Sequence, residues 1–327
     1  YISYMKKNNK LKKIFVAGHN GMVGSSIIRC LKKNGYKNII TQNKKNLDLL
    51  NQKQTYNFLK KNKIETIYIS AAKVGGIIAN INYPAEFIYE NSMIALNLVH
   101  GAWKLGIKKI LFLGSSCIYP VKNSKLNEDD LLSGKLESTN EPYAISKILG
   151  LKLCESYNKQ YGTDFRALMP CNIFGPGDRY DEQNGHVIAG LILKIIKAKK
   201  NNEKNVTIWG SGRPKREFLY VDDLAEAAIL VMNISKKKYN IATTQKNNFL
   251  NVGYGVDYSI IKIATIIKNI IGYKGKIKLD KNYPDGVYQK LLNTKNIKKI
   301  GWKPKYNFET YLSKVVLSVY RNDKVNF

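Results

Sequence analysis

The feature that most constrains the fold is a short apolar run that passes directly into three evenly spaced glycines. The run Lys13-Ile14-Phe15-Val16-Ala17 is typical of a buried parallel strand. It is followed by Gly18-His19-Asn20-Gly21-Met22-Val23-Gly24, with the spacing GxxGxxG, and then by a helical apolar pattern at 27–31. Glycines allow a tight turn and close backbone approach, and a helix N-terminus can hold a pyrophosphate. This order predicts dinucleotide binding rather than a purely structural turn.

The alternation of strand and helix continues along the chain. Apolar runs at 38–41, 65–70, 109–113 and 165–170 have the composition of strands, and a long helical pattern covers 84–105. Strands that alternate with helices about every 25 to 35 residues predict an α/β fold with a Rossmann-type, doubly wound parallel sheet. In such a sheet, ligands bind at the carboxyl ends of the strands.

The second half of the chain predicts a smaller lobe, because the strand–helix rhythm loosens after residue 172. We expect residues 12–172, with returning segments at about 219–243, to form the dinucleotide-binding domain. Residues from about 173–218 and 244–320 are expected to form an interleaved C-terminal substrate lobe. The Lys- and Asn-rich segment 236–248 is predicted to be a solvated loop.

The residues after the second predicted strand bear on the choice between NAD and NADP. An NAD-binding protein often places an acidic residue on the ribose 2′-hydroxyl, about 20 residues after the glycines. Lys44 and Lys45 stand in this region, and their charge favours the 2′-phosphate of NADP. Asp48 is an acidic residue that would instead favour NAD, but it comes later, at the start of the next predicted helix. The local sequence therefore predicts NADP, with NAD as the alternative.

A tyrosine and a lysine stand four residues apart in Glu141-Pro-Tyr-Ala-Ile-Ser-Lys147. Pro142 suits the first turn of a helix, and a spacing of four places Tyr143 and Lys147 on one helix face. We expect the Lys147 ammonium to lower the pKa of the Tyr143 phenol. Such a phenol suits a proton donor to a carbonyl oxygen that receives a hydride. The alternative is a pair that only shares a helix face.

The net charge of +30 suggests a nucleic-acid partner at first. However, only six of the 54 basic residues are Arg, and Lys pairs occur on nearly every predicted surface segment. Since no basic patch is interleaved with aromatic residues, we expect no nucleic-acid partner and an advantage for an anionic substrate. No stretch of about 18 residues is continuously apolar, so no membrane association is predicted.

The four cysteines are Cys30, Cys117, Cys154 and Cys171. They form no CxxC pair and have no companion His spacing, so neither a disulfide framework nor a metal site is predicted. Residues 1–13 are polar and basic, without the apolar segment of a secretion signal. We therefore expect a cytoplasmic protein with reduced thiols.

Six strings, taken in order, resemble one family. They are Gly18–Gly24, Ala71-Ala72-Lys73-Val74-Gly75-Gly76, Gly114–Pro120, Asn140–Lys147, Trp209–Gly212 and Arg216–Leu219. Over about residues 12 to 320, the chain resembles the GDP-L-fucose synthases, the epimerase–reductases of the extended short-chain dehydrogenase family. The resemblance implies a homodimer that converts GDP-4-dehydro-6-deoxy-D-mannose to GDP-L-fucose. The family epimerises C3 and C5 of the sugar and then reduces C4 with NADPH.

The resemblance also implies a catalytic set. Epimerisation next to a ketone needs a base on one face of the sugar and an acid on the other. The family's pair falls on Cys117 and His186, and thiols and imidazoles exchange protons readily near neutral pH. Ser115 and Tyr143 bind the C4 oxygen, and Lys147 lowers the pKa of Tyr143 and binds the nicotinamide ribose. Taken singly, Cys117 could be a buried apolar residue, Ser115 a turn residue and His186 a helix-start residue.

The implied binding residues form two groups. The substrate contacts fall on Lys194, Trp209, Arg216 and Asp285. Lys194 departs from the family, which often has Arg there, and a Lys lacks the bidentate fork of a guanidinium. The cofactor contacts fall on Gly18, His19, Asn20, Gly21, Met22, Val23, Gly24, Lys44, Lys45, Asn46, Leu47, Asp48, Leu49, Leu113, Gly114, Ser115, Ser116, Lys147, Pro170, Cys171, Asn172, Ile173 and His186.

Three other functions compete with this reading. Sugar-nucleotide dehydratases and 4-epimerases keep Tyr-x-x-x-Lys but recycle NAD, and a dehydratase usually has an Asp-Glu pair where this chain has Ser116 and Cys117. A non-catalytic NADP-binding regulatory protein should have lost Ser115, Tyr143 or Lys147, and all three are present. A relative acting on another GDP-deoxyhexose remains open.

Overall fold

The computed structural model describes residues 10–122, 124–181, 185–244, 246–283 and 285–323. Its strands are Ile14–Ala17 (β1), Ile39–Ile40 (β2), Thr66–Ile69 (β3), Lys109–Leu113 (β4), Asp164–Pro170 (β5), Asn172–Phe174 (β6), Asn205–Trp209 (β7), Lys215–Tyr220 (β8), Leu250–Val252 (β9), Asp257–Ser259 (β10), Lys276–Asp280 (β11) and Gln289–Lys290 (β12).

The helices within these ranges are Met22–Lys33 (α1), Gln52–Lys61 (α2), Ile77–Asn82 (α3), Pro84–Lys104 (α4), Glu141–Tyr161 (α5), Val187–Lys200 (α6), Val221–Asn233 (α7), Lys236–Ala242 (α8), Ile260–Ile271 (α9), Lys295–Lys298 (α10) and Phe308–Asp323 (α11). None of these helices is both long and apolar enough to cross a membrane.

The main sheet has six parallel strands in the order β2-β1-β3-β4-β5-β9. Every residue of β1 and β3 is buried, which explains why these strands read as continuous apolar runs. Helix α1 packs against α7, while α4 packs against α2 and α5, so two helical layers cover the sheet. The predicted Rossmann-type fold is confirmed. The strand order reverses between β1 and β3, and ligands in such sheets bind outside that point.

A second, smaller core lies beyond the main sheet. Helix α6 packs on β7 and helix α11 on β8, while α9 packs against α6, α11 and β10. Strand β8 is flanked by β10 and β12 and also pairs with β6, and β7 pairs with β11. Because β6 follows β5 after one residue, the two cores share a continuous backbone link.

The structure differs from the expected extents of the lobe. Strand β9 pairs with β5 in the main sheet, and Ile297 and Trp302 are buried in its core, although 244–320 was assigned to the lobe. The segment 236–248, predicted as a loop, contains helix α8. Ser235 caps this helix by accepting a hydrogen bond from Lys238 N. Its Tyr239 is buried and hydrogen-bonds the backbone of Ala167, and this tertiary contact overrides the polar composition.

Candidate functional site

A cavity of about 1040 Å³ extends from the carboxyl ends of the main-sheet strands to the smaller lobe. The predicted site residues that line it are Gly18–Gly24, Lys44, Leu47–Leu49, Leu113–Cys117, Tyr143, Lys147, Pro170–Ile173, His186, Lys194, Trp209, Arg216 and Asp285. Lys45 and Asn46 do not line the cavity, and so the structure does not bring them to the others. Residues from both halves of the chain thus meet around one space.

The glycine turn after β1 forms a cradle that only glycine can make. Gly18 has φ +82°, and a Cβ there would lie 2.5 Å from the backbone nitrogen of Ala71. At Gly24 a Cβ would meet the Gly18 carbonyl and the Ser70 hydroxyl. Gly21 caps α1 without a side-chain hydrogen bond, which leaves the first N–H groups of α1 for an anion. This geometry fits the pyrophosphate of a dinucleotide.

The two residues that bear on the ribose 2′ position differ in their surroundings. Lys44 lies at the cavity edge with its side chain 77% exposed, and its Nζ is 3.8 Å from Glu90 Oε2. Asp48 accepts a hydrogen bond from Leu50 N at 3.1 Å, so its carboxylate holds the local turn. The Lys44 ammonium is therefore an exposed positive charge at this edge of the cavity.

Three predicted side chains from the end of β4 and from α5 line the cavity near one another. Pro142 is the second residue of α5, as the sequence predicted, and Tyr143 and Lys147 follow on one face. Lys147 is buried and donates a hydrogen bond to the Leu113 carbonyl at the end of β4, at 2.9 Å. Ser115 follows β4 and accepts a hydrogen bond from Cys117 N at 3.2 Å. The strand end therefore positions both Ser115 and Lys147.

The pKa of Tyr143 is raised in this structure and not lowered, as the Tyr143–Lys147 spacing had predicted. Burial raises the pKa of the Tyr143 phenol well above its usual value, Cys117 adds to the rise, and the hydrogen bond with Ser115 opposes it. Burial also lowers the pKa of Lys147 to about 8. Desolvation, which penalises the charged form of each group, is the largest cause of both shifts. Tyr143 is therefore a neutral phenol at neutral pH, with its proton available for donation.

The two residues expected to move protons approach the cavity from different elements. Cys117 is half-buried in a single 3₁₀ turn, Ser116–Ile118, directly after β4. His186 immediately precedes α6, and its side chain is 42% exposed. Its Nδ1 lies 3.1 Å from Oδ1 of the buried Asp178, a contact that orients the ring. Both side chains line the same cavity.

The smaller lobe supplies the remaining predicted residues. The Trp209 ring stacks on Tyr283 with centroids 4.5 Å apart, and the Lys194 ammonium lies 3.8 Å from the centre of the Trp209 ring. Asp285 accepts hydrogen bonds from the N–H of Ser211 at 2.8 Å and from its hydroxyl at 2.5 Å. Asp285 thus holds the turn that follows Trp209.

Arg216 has a neighbouring cation that sequence reasoning missed. Arg216 on β8 is the register partner of Lys290 on β12, so both side chains lie on the same face of this parallel pair. Lys290 lines the cavity, as do Glu137 and Asn140 from the segment before α5. No motif marks Lys290 or Glu137, because both stand in Lys-rich or polar stretches. Only strand register reveals the pair of cations.

The chain is similar to several known proteins. Residues 14–242 match the NAD dependent epimerase/dehydratase family. GDP-L-fucose synthase of Escherichia coli (strain K12) is 45% identical over 303 residues, which cover 92% of this chain and 94% of that protein. GDP-L-colitose synthase of Yersinia pseudotuberculosis is 40% identical over 316 residues, or 96% of this chain and 99% of that one.

A solved structure with a bound cofactor is also similar over nearly the whole chain. The GDP-mannoheptose C4 reductase from Campylobacter jejuni, solved with NADP bound, is 33% identical, with a TM-score of 0.85. The match covers 95% of this chain and 98% of that one. The similarity therefore extends through both the main sheet and the smaller lobe.

Proposed function

The chain belongs to the NAD dependent epimerase/dehydratase family, and we propose that it converts GDP-4-dehydro-6-deoxy-D-mannose to GDP-L-fucose. It is an NADP-dependent oxidoreductase and epimerase of nucleotide sugars. One observation carries the proposal: a single cavity is lined by a proton-donor set, Ser115, Tyr143 and Lys147, and by a proton-exchange pair, Cys117 and His186. A 4-reductase alone would need only the first set.

The proposed epimerisations use the proton-exchange pair. Protons next to the C4 ketone are acidified, and one member of the pair removes a proton while the other returns one to the opposite face. Ser115 and Tyr143 donate hydrogen bonds to the C4 oxygen and stabilise the charge that develops there. Asp178 keeps the His186 ring in one orientation during the exchange. The two steps at C3 and C5 give the L-configured ketone.

The proposed reduction uses the proton-donor set. NADPH, when bound, supplies the hydride to C4. Tyr143 then gives its phenolic proton to the C4 oxygen, which is a stronger base than a phenolate. Lys147 lies beside Tyr143 on α5, with its Nζ 5.7 Å from the ring centre, and its charge stabilises the phenolate that forms. Proton return to Tyr143 completes the cycle.

The proposed binding sites divide the cavity between the two ligands. The glycine turn and the first turn of α1 hold the cofactor pyrophosphate, and Lys44 meets its 2′-phosphate. Arg216 and Lys290 meet the GDP diphosphate, and Trp209 provides an apolar wall for the nucleotide. The full proposal includes a homodimer in the cytoplasm, where the four free thiols would stay reduced.

The direct test is incubation with GDP-4-dehydro-6-deoxy-D-mannose and NADPH, with the product identified by NMR. The expected product is GDP-L-fucose, formed with one equivalent of NADPH. A parallel sample in D₂O without NADPH should gain deuterium at C3 and C5. A product of the D-series would show a reductase that does not epimerise. Binding of NADPH without any turnover would instead support the non-catalytic reading.

A second candidate comes from the similarity to the GDP-L-colitose synthase. The two activities share the fold and differ in the sugar that they accept. Competition between GDP-4-dehydro-6-deoxy-D-mannose and the 4-dehydro precursor of GDP-L-colitose separates them. A higher kcat/KM for the second substrate would overturn the proposed substrate but keep the reaction type.

A further inference from the structure

Glu137 is a carboxylate enclosed in the part of the cavity that holds the lobe's cations. Its side chain is 11% exposed, and its Oε2 accepts a hydrogen bond from Lys290 Nζ at 2.7 Å. Its Oε1 accepts one from the Thr139 hydroxyl at 2.9 Å. Asn140 Nδ2 lies 3.3 Å from Oε2. Glu137 therefore binds one residue of the lobe and two residues of the turn that begins α5.

The two cations beside Glu137, Arg216 and Lys290, are each held by hydrogen bonds within the protein. Arg216 and Lys290 are register partners on β8 and β12. The Arg216 Nη1 donates to the carbonyls of Lys215 and Val287, at 2.8 and 2.6 Å. Within the described part of the chain, this leaves Nη2 and Nε for other partners. Lys290 has three N–H donors, and its acceptor among the residues that the structure describes is Glu137. Both cations thus keep donors for an anionic ligand.

Gly286 packs closely against both Arg216 and Glu137. A Cβ at this position would lie 3.0 Å from Arg216 Nη2 and 3.3 Å from Glu137 Oε1. A side chain at this position would therefore crowd both the guanidinium and the carboxylate.

The charge balance indicates that Glu137 stays in place as an anion. Burial would raise the pKa of Glu137, but Lys290, Thr139 and Arg216 outweigh burial and hold it below its usual value. Moving an enclosed, ionised carboxylate away from its hydrogen-bond partners costs considerable free energy. It remains to orient the neighbouring donors when an anion enters.

We infer that Glu137 is a positioning residue for the binding of the GDP diphosphate. It holds the Lys290 ammonium beside Arg216, so that the two cations keep the geometry that binds the diphosphate. Because Thr139 and Asn140 lead directly into α5, the same carboxylate connects the diphosphate subsite to the helix that carries Tyr143 and Lys147. This inference rests on the proposed function, since it takes the cation pair as a diphosphate site.

The test measures GDP and NADPH affinities separately by calorimetry for Glu137→Gln. Glutamine keeps the size of the side chain but loses the charge that fixes the Lys290 ammonium. We expect GDP to bind about 10- to 100-fold more weakly, the scale of a misplaced charge-assisted contact, with NADPH affinity unchanged. Glu141→Gln is the matched control, because Glu141 is an exposed carboxylate at the start of α5, the helix that follows the Glu137 turn. The control should bind GDP as the wild type does.

A double-mutant cycle with Lys290→Met tests whether Glu137 acts through Lys290. In the Lys290→Met background, Glu137→Gln should cause little further loss of GDP affinity. Equal losses in both backgrounds would overturn the inference, as would unchanged or tighter GDP binding by Glu137→Gln. Similar melting temperatures with NADPH bound verify that the variants fold. If wild-type protein does not bind GDP, the proposed function fails first, so the two failures are distinguishable.

Discussion

Lys147 donates its hydrogen bond to the carbonyl oxygen of Leu113 at 2.9 Å, while its Nζ lies 5.7 Å from the centre of the Tyr143 ring. The ammonium is therefore attached to the end of β4, and the phenol keeps its proton in a buried environment. The helix spacing correctly predicted the shared face. It could not predict which acceptor the ammonium would choose.

Replacing Tyr143 by Phe should separate reduction from epimerisation. The variant should fold and bind NADPH, because the phenyl ring still packs edge-on against Phe87. Reduction of the C4 ketone should fall by a factor of about 10² to 10⁴, as for the loss of a general acid. Deuterium exchange at C3 and C5 should persist, since other groups move those protons. Undiminished reduction would remove Tyr143 from the mechanism.

Lys147 should give the ligand-free protein a stability that rises with pH above about 8. Its pKa is about 8 when folded and about 10.4 in an unfolded chain, so in that window the unfolded state binds more protons. The free energy of unfolding should therefore rise from about pH 8 to 10.4. Chemical denaturation of wild type and Lys147→Met across this range measures the difference.

The control for this pH dependence is Lys159→Met, because Lys159 is exposed near the end of the same helix. The Lys147→Met profile should be flatter than both the wild-type and control profiles. Parallel profiles for all three proteins would show that Lys147 titrates alike in the folded and unfolded chains.

Lys44→Asp should shift the cofactor preference toward NADH. The wild type should prefer NADPH, because the Lys44 ammonium is the accessible charge at the cavity edge where the 2′-phosphate is expected. The substitution should change the free-energy preference for NADPH over NADH by about 1–3 kcal/mol, the scale of a charge-assisted contact. Lys45→Asp is the matched control, since Lys45 does not line the cavity. Equal shifts in both variants would indicate only a general change in surface charge.

Cys117→Ser should suppress both epimerisations and leave hydride transfer possible. A serine hydroxyl keeps the shape but exchanges protons poorly near neutral pH. The variant should then slowly form a GDP-6-deoxyhexose of the D-series. His186→Asn should also lose exchange, because it removes the other proton partner. Deuterium incorporation at C3 and C5 without NADPH is the measurement, and wild-type exchange by Cys117→Ser would make Cys117 a packing residue.

Gly18→Ala should abolish NADPH binding and lower the melting temperature. The substitution combines a positive φ, which costs about 1–2 kcal/mol for other residues, with a clash against the backbone of Ala71. Gly106→Ala separates these effects, because Gly106 has φ +72° but no described atom beyond its chain neighbours within 4 Å of its added Cβ. Gly106→Ala should lower stability only modestly and keep NADPH affinity. A Gly18→Ala variant with normal NADPH affinity would contradict the proposal that this glycine turn binds the cofactor pyrophosphate.

The sequence by itself determined the sheet, its glycine turn and the helix start at Pro142. These features depend on short-range rules: apolar runs form buried strands, glycine alone tolerates the turn at Gly18, and proline suits a first helical turn. The motifs around Ser115, Cys117 and Tyr143 are also local strings, and the structure brings them to one cavity.

Only the tertiary structure decided which distant side chains act on each other. Strand register makes Lys290 the neighbour of Arg216. Lys290 in turn binds Glu137, which lies 153 residues away in the sequence. Burial, which sets the pKa values of Tyr143 and Lys147, likewise depends on what packs over them. Desolvation and long-range register have no local signature, because both are properties of the assembled fold.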